Sequence, residues 1–503
     1  VPTTTADGAE QLGRWAVRAE VLNEPELEFG GAGRHVDPRF GISNYGPADL
    51  DEPERRRPIR VGLIGPAELI PELRSWLERC RDPIAAKDER YPNLFTGFPG
   101  CDVDRGLMTT LVLADRTSAL ISKSVLRDTA KAPRPEALAA AVHAYAGEAR
   151  LLAEQNRVDV LLLARPQELA DTRRRNHSRA VAPANQHEEA LPPSKELGFA
   201  GHPFANFHDL LKAELLALPI PIQIIRRSTW DEATPPPAGA GRQDEATRAW
   251  NLHVALHYKA GGVPWRLQRD AHDLTTCFIG ISFYRNADDQ TLETAVAQVF
   301  NERGDGVIVR GGPARLRGSD KQPHLTAEAA RDLLSQALDT YRQVHRNLPA
   351  RVAIHKSSSF TAEEEDGLRE AARSRHVDEI DMTWVTLSDG MRLFRPGTAP
   401  PLRGTHVVLD DRSSLLYTKG SVDFYSTYPG AHVPQPIGLR HVDAGRSPSD
   451  LARETLALTK MNWNQTRLDG LLPVTLRTAD QVRKVLRFCR PESVVPTRYA
   501  HYM

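Results

Sequence analysis

Short, nearly unbroken apolar runs alternate with longer amphipathic stretches over most of the 503-residue chain. IRVGLIGP (59–66) has the pattern of a buried strand closed by Gly-Pro, and AELIPELRSWLERC (67–80) behind it carries helical spacing. A strand around Met108–Ala114, a helix over Pro135–Gln155 and the strand VDVLLLA (158–164) continue the alternation, which predicts a doubly wound parallel sheet. PIPIQII (219–225) reads as the next strand, TPPPAGAG (234–241) as a loop, and Thr247–Lys259 as a helix. From Asp273 a second α/β series begins. LTTCFIGISFYR (274–285), GVIVRGG (306–312), RVAIHKSS (351–358) and Glu379–Leu387 read as strands; Ala327–Asn347, TAEEEDGLREAAR (361–373) and Ser449–Asn462 read as helices.

Three stretches break the pattern. Residues 1–18 are polar, and AEVLNEPELEFGGAGRH (19–35) reads as a strand running into a glycine turn. HVDPRFGISNYGPADLDEPERRRP (35–58), dense in Pro, Gly and charge, reads as an extended linker rather than a core element. Residues 166–203 form a polar insertion with Arg173, Arg174, Arg175 and Arg179, either a solvated loop or a basic flap over a polyanion.

Composition narrows the picture only a little. With 40% hydrophobic residues the chain can build two or three cores. The 65 basic and 65 acidic residues cancel, which leaves a nucleic-acid partner open, because local clustering decides that. Cys80, Cys101, Cys277 and Cys489 lie far apart with no CxxC, against a zinc ribbon or disulfide scaffold and in keeping with a reducing cytoplasm. No apolar run reaches a membrane span, and VPTTTADGAEQLGRW lacks the features of a secretory signal. GLIGPAE (62–68) is not a GxGxxG, so no nicotinamide site is expected.

The candidate chemistry gathers in Phe204–Trp265. His208 and Lys212 are four apart and share a helix face; Gln223 stands in a short strand, and Lys259 precedes Gly-Gly. Two cations, an imidazole and an amide could hold a terminal phosphate. Spacing alone leaves open whether they converge or sit solvated on separate elements. Elsewhere, His345, His355 and His376 have no metal spacing, and Ser357, Ser358 and Ser359 lack a hydrolase motif. The acids Glu363–Asp366 follow Thr361, where negative charge favours a helix start. Lys356, Lys419 and Arg440 at strand ends are either phosphate contacts or solvated surface.

Taken in order, LNEPELEFG (22–30), FPG (98–100), the His208/Lys212/Gln223/Lys259 set, YKAGGVPW (258–265), CFIGISFYR (277–285), VAIHKSSSF (352–360), TKGSVDFYSTYPG (418–430), PQPIGLR (434–440) and RYAHYM (498–503) resemble the landmarks of short prokaryotic Argonautes. The resemblance implies an N-terminal extension and linker (1–57), a Rossmann-like MID domain (58–250) and an RNase H-like PIWI domain (251–503), with no room for a PAZ or full N-terminal domain. It makes His208, Lys212, Gln223 and Lys259 the pocket for a guide's 5′-phosphate, with Arg226 and Arg227 nearby, and it brings in the carboxylate of Met503, which with guide phosphates would hold a structural Mg²⁺.

The same resemblance places Ser282 and Ser357 where slicing relatives carry catalytic aspartates, keeps Asp480 at the fourth position, and leaves the glutamate position open near Glu302. Two hydroxyls cannot replace two anionic ligands of a two-metal nuclease. The expectation is therefore no slicing and no catalytic residue in this chain. The implied role is a cytoplasmic defence subunit that pairs a 5′-phosphorylated guide RNA with single-stranded DNA of plasmid or phage. The implied partner is an APAZ-containing effector chain, as a heterodimer or higher oligomer on activation. That partner would carry a sirtuin-like or TIR NAD-consuming domain, or a nuclease, and lead to cell death or dormancy. The alternatives are a guide-directed endonuclease with an atypical metal site and a stand-alone nucleotide-binding α/β enzyme, which would want a phosphate loop that the sequence lacks.

Overall fold

The computed structural model describes residues 18–155 except 54, 56, 57, 88 and 89, and then 157–166, 199, 202, 205–236, 241–268, 274–285, 287, 292–300, 306–387, 391–430, 432–442, 445–490 and 493–503; the Arg173–Arg175 run and Glu302 lie outside them. After a first strand, β1 (Arg18–Val21), and a short helix, α1 (Pro38–Tyr45), comes a parallel sheet. It comprises β2 (Pro58–Pro66), β3 (Thr110–Val112), β4 (Ser118–Ile121), β5 (Val160–Arg165) and β6 (Ile222–Arg226). β2 pairs with β3, β4 and β5, and β5 with β6, all parallel. Every residue of β5 is buried, as a strand covered on both faces must be. The covering helices are α2 (Leu69–Arg79), α3 (Lys123–Lys131), α4 (Arg134–Gln155), α5 (Phe207–Glu214) and α6 (Glu245–Lys259).

The second half is built on a nine-stranded sheet. β7 (Thr276–Arg285), β8 (Leu292–Phe300) and β9 (Gly306–Arg310) form an antiparallel meander; β10 (Arg351–Lys356) lies parallel to β7, and β11 (Glu379–Leu387) parallel to β10. These five run third-second-first-fourth-fifth across the sheet, the RNase H-like arrangement expected. β12 (Thr405–Asp410), β13 (Ser413–Leu416) and β14 (Ile437–Val442) extend it antiparallel beyond β11. Helices α7 (Ala327–His345), α8 (Ala362–Arg373), α9 (Pro448–Leu458) and α10 (Val474–Leu486) complete the half. β8 was not among the predicted strands: LETAVAQVF alternates, but its alanines dilute the apolar signal. At α8 the acid-rich start does form a capping box, with Glu364 returning to the Thr361 backbone.

The linker reading of residues 35–58 is corrected. Its Asp-Pro and Gly are start and stop signals for α1, not linker composition. Asp37 caps the helix at the Arg39 and Phe40 amides, Pro38 takes the first helical position, and Gly46 ends it at φ +73°. Ile42 is 0% exposed, and Gly41 is needed because the Phe29 ring lies where a Cβ would go. Buried Arg39 pairs with Asp37 at 2.8 Å, Tyr425 donates to Asp37 at 2.8 Å, and Arg39 also donates to the Leu94 carbonyl.

The N-terminal segment belongs to the second sheet as well. β1 pairs antiparallel with β12 from Arg18–Val408 to Val21–Thr405, and Glu24 forms ion pairs with Arg403 and Lys460. One apolar cluster contains Leu27, Phe29, Val61, Trp250, Phe278 and Val482, so the two halves share a core. The expected boundary between residues 250 and 251 falls inside α6. All four cysteines are buried free thiols, and no helix among the described residues is long and apolar enough to cross a membrane.

Candidate functional site

Two helix C-termini and the last residues of the chain meet beside the first sheet. α5 carries Lys212 in its last turn and α6 carries Lys259 in its own, where the helix dipole favours an ammonium. Both lysines are buried and both donate to the Met503 backbone oxygen, at 2.6 and 2.5 Å. Lys212 also donates to the carbonyls of Ile222 (2.6 Å) and His501 (3.2 Å), and Lys259 to that of Ala500 (3.2 Å). Lys212 makes three such contacts and Lys259 two, and the two side chains also contact each other. The turn after Lys259 requires its glycines: Gly261 sits at φ +100°, and a Cβ on Gly262 would strike the His257 ring. His257 in turn pairs with Asp49, which also accepts from the Val263 amide.

His208 and Gln223 form the rim. His208 is half-exposed in the first turn of α5, with Nδ1 2.8 Å from Asp209. Gln223 donates to the Ile224 carbonyl at 3.2 Å, and its buried Oε1 has no partner among the described residues. Turning the amide over would present its N–H₂ at that position instead. Arg227 is engaged by Glu72 and Asp231, and Arg226 is exposed at the end of β6.

Burial governs the charges here. It pushes the Lys212 ammonium down to about 7, with the neighbouring Lys259 amine and Asp209 acting the other way. Lys259 is pushed well below its ordinary value by burial and by the charge of Lys212. His208 is lowered by burial first, opposed by Asp209 and assisted by the two lysines. His501 is pushed down to about 4 by burial, with Arg498 and the same lysines adding to it. A compact, poorly solvated, cation-rich site of this kind gains most from an anion. Sequence reasoning placed His208, Lys212, Gln223, Lys259 and Met503 here but missed His501 and the Ala500, His501 and Ile222 carbonyls. RYAHYM stood out as a landmark, and nothing local marked its backbone as lysine acceptors.

At the second sheet, Ser282 ends the regular part of β7 at a bulge, and Ser357 follows β10 directly. The register pairs Ile281 with Lys356, and the Ser357 amide donates to the Ile281 carbonyl at 3.3 Å, so the two serines are neighbours. The Ser282 hydroxyl is buried with no partner among the described residues. Asp480 lies on α10 and is paired with Arg483 at 2.5 Å and Lys484 at 2.7 Å. Burial works to raise its pKa, and those two charges outweigh it and hold the carboxyl below the ordinary value. Among the described residues no group of three or more His, Cys, Asp or Glu could hold a metal ion.

The Piwi domain model matches residues 204–489, more than half of the chain and all but the terminal part of both sites. The chain belongs to the Piwi domain family. Solved structures share its fold. Clostridium butyricum Argonaute, bound to a guide DNA (5′ deoxycytidine) and a 19-mer target DNA, matches with a TM-score of 0.65 at 15% identity, covering 97% of this chain and 55% of that one. Aa-Ago with externally bound siRNA matches at 0.58 and 14%, covering 96% and 56%. A. aeolicus Argonaute matches at 0.56 and 15%, covering 95% and 54%. The chain thus spans about half the length of the Argonautes it resembles, and at these identities the likeness is one of fold. No curated protein matches it.

One reading of this Piwi domain's surface changes. Lys356 is no surface cation: it is buried, donates to Glu364 and the Ser359 carbonyl, and lies over the Phe283 and Phe360 rings. Leu27 and Phe29 of LNEPELEFG are buried within the chain. Arg440 remains exposed, 4.9 Å over Trp384, and Lys419 lines a cleft with Arg467, Arg477 and Asp480.

Proposed function

We propose that this Piwi-domain protein is a guide-directed recognition subunit. It holds a guide RNA by its 5′-phosphate, pairs it with single-stranded DNA, and does not slice. The observation that carries this is the buried Lys212–Lys259 pair beneath His208 and Gln223. A 5′-phosphate at the rim meets the His208 imidazole and the Gln223 amide, while Lys212 and Lys259 contribute charge from below. Such charge-assisted contacts are worth roughly 1.5–3 kcal/mol each. Base pairing then carries sequence specificity and protein contacts hold the backbone.

The protein's own groups suit a phosphate better than a structural Mg²⁺. The Met503 oxygen already accepts from both lysines, and the Ile222, Ala500 and His501 carbonyls are likewise engaged by them. A hard cation wants several free oxygens, so the lysines take the neutralising role. Non-slicing is supported by hydroxyls at Ser282 and Ser357 and by the pairing of Asp480 with basic residues of its own helix.

In this reading target capture is passed to an APAZ-containing effector chain, an NAD-consuming sirtuin-like or TIR enzyme or a nuclease, in cytoplasmic defence against plasmids or phage. The test is sequencing of the nucleic acid that co-purifies with the intact complex. Short 5′-phosphorylated RNAs are expected; their absence overturns the proposal. Cleavage of matched target by the purified chain, abolished by Asp480→Asn, would establish the endonuclease alternative instead.

A further inference from the structure

Between β9 and α7 the chain makes a small hairpin whose chemistry the 5′-pocket does not use. Arg315 pairs with His324 and Leu316 with Pro323, and the tip is closed by Arg317–Gln322 and Lys321–Arg317 backbone bonds. Arg315, Arg317 and Lys321 are exposed, and of the three only Arg317 feels the charge of the hairpin's acid, Asp320. The one acid of the hairpin, Asp320, is engaged by His324 at 3.0 Å and by the Gln322 amide at 2.9 Å. In a chain of zero net charge, the tip is locally and strongly basic.

The hairpin is also rigidly based. Buried Glu364 accepts from Lys356 (2.6 Å) and the Leu325 amide (2.8 Å) through Oε1, and from the Thr361 amide (2.9 Å) through Oε2, with His324 Nδ1 3.2 Å away. Gln322 accepts from the Ser359 amide at 2.8 Å, and Ser358 donates to the Pro323 carbonyl at 2.8 Å. These bonds fasten the hairpin to the loop that leaves β10, beside the carboxyl ends of the parallel strands β7 and β10. Ligands of open α/β sheets gather outside those ends. Exposed arginines that solvation alone explains do not call for a base fastened at His324, Gln322 and Pro323; a preorganised contact does.

We propose that the Arg315–His324 hairpin is a basic finger that grips the sugar–phosphate backbone of the guide–target duplex, with Arg315, Arg317 and Lys321 as its phosphate contacts. This rests on the reading of the chain as a guide-directed binder. The finger reads no sequence; it adds affinity and fixes where the duplex lies against the second sheet.

The test loads the full chain with a synthetic 5′-phosphorylated guide RNA and titrates a complementary labelled DNA strand at several salt concentrations. Wild type, Arg315→Ala/Arg317→Ala/Lys321→Ala and Arg315→Lys/Arg317→Lys are compared. Each phosphate contact contributes about 0.7–0.9 to the slope of log affinity on log salt, so the alanine variant should flatten it by about 2–3. Its deficit should therefore shrink about 30-fold between ~50 and ~200 mM salt. The lysine variant should keep the steep slope, and guide loading should not change, because the hairpin supplies none of the contacts that hold Lys212 and Lys259. Parallel salt lines for wild type and the alanine variant overturn the finger while leaving the guide-binding reading intact. That holds equally if the variant loses an acidic protein partner instead. A wild type that binds no guide and no target overturns both.

Discussion

If the 5′-pocket takes a phosphate over Lys212, guide binding must take up protons. Burial puts the free-chain ammonium at about 7, so half of it is neutral there. A dianionic phosphate overhead favours the charged form and returns the lysine toward its ordinary range near 10.4. The phosphate is already a dianion above about pH 6, so it does not itself titrate through the window above 7. The competent fraction of free protein falls from about one half at pH 7 to about 3% near pH 8.5, costing about 15-fold in affinity, or about 1.6 kcal/mol. Any proton taken up by Lys259 steepens this. Stability of the free chain moves the opposite way. The folded pKa lies below the unfolded value, the unfolded chain binds more protons between about 7 and 10.4, and stability rises with pH across that window. The assay is a titration of labelled guides bearing a 5′-phosphate or a 5′-hydroxyl at constant ionic strength, read as the ratio of their affinities. That ratio should collapse as pH rises, and Lys212→Gln should abolish its pH dependence. A ratio constant within about twofold from pH 7 to 8.5, or an unaltered profile in Lys212→Gln, refutes the reasoning.

Other outcomes follow from the packing and the pairs. Ile42→Ala should cost about 2–5 kcal/mol by denaturant unfolding, as for a core site; a change within about 0.5 kcal/mol would return residues 35–58 to the status of a linker. Lys356→Met leaves Glu364 buried without its cation and should destabilise by about 3–5 kcal/mol, seen as a lowered melting temperature; a neutral result would contradict the buried pair that anchors the hairpin. Asp480→Asn should leave target affinity within about twofold of wild type, because the carboxylate is paired with Arg483 and Lys484 of its own helix. Gly262→Ala drives a methyl into the His257 ring and should cost about 1–3 kcal/mol together with guide loading, checked by paired melting and binding curves.

What the sequence determined alone is what local spacing encodes. Period-two and period-3.6 patterns gave β2, β5, β7, β10 and β11 and helices α4, α7 and α8 within a few residues, because side-chain direction repeats with the backbone. The helix start after Thr361 was legible from its acidic run, which suits the helix dipole, whereas the capping box there emerged only from the structure. Local signals misled where one composition serves two structures: Pro38, Gly41 and Gly46 punctuate a helix as readily as a linker, and only the Phe29 ring and buried Ile42 decide between them. The Lys212–Lys259 site lay further from view. His208 and Lys212 share a face by spacing, but the Met503 oxygen that gathers both lysines is 291 residues from Lys212, and the Ile222 carbonyl has no side-chain signature at all. The second sheet shows the same limit, since Lys356 looks like a strand-end surface cation until α8 brings Glu364 against it. Charge type and spacing are properties of the chain. Burial, and with it the strength and protonation of each charge, exists only once distant segments exclude water around them.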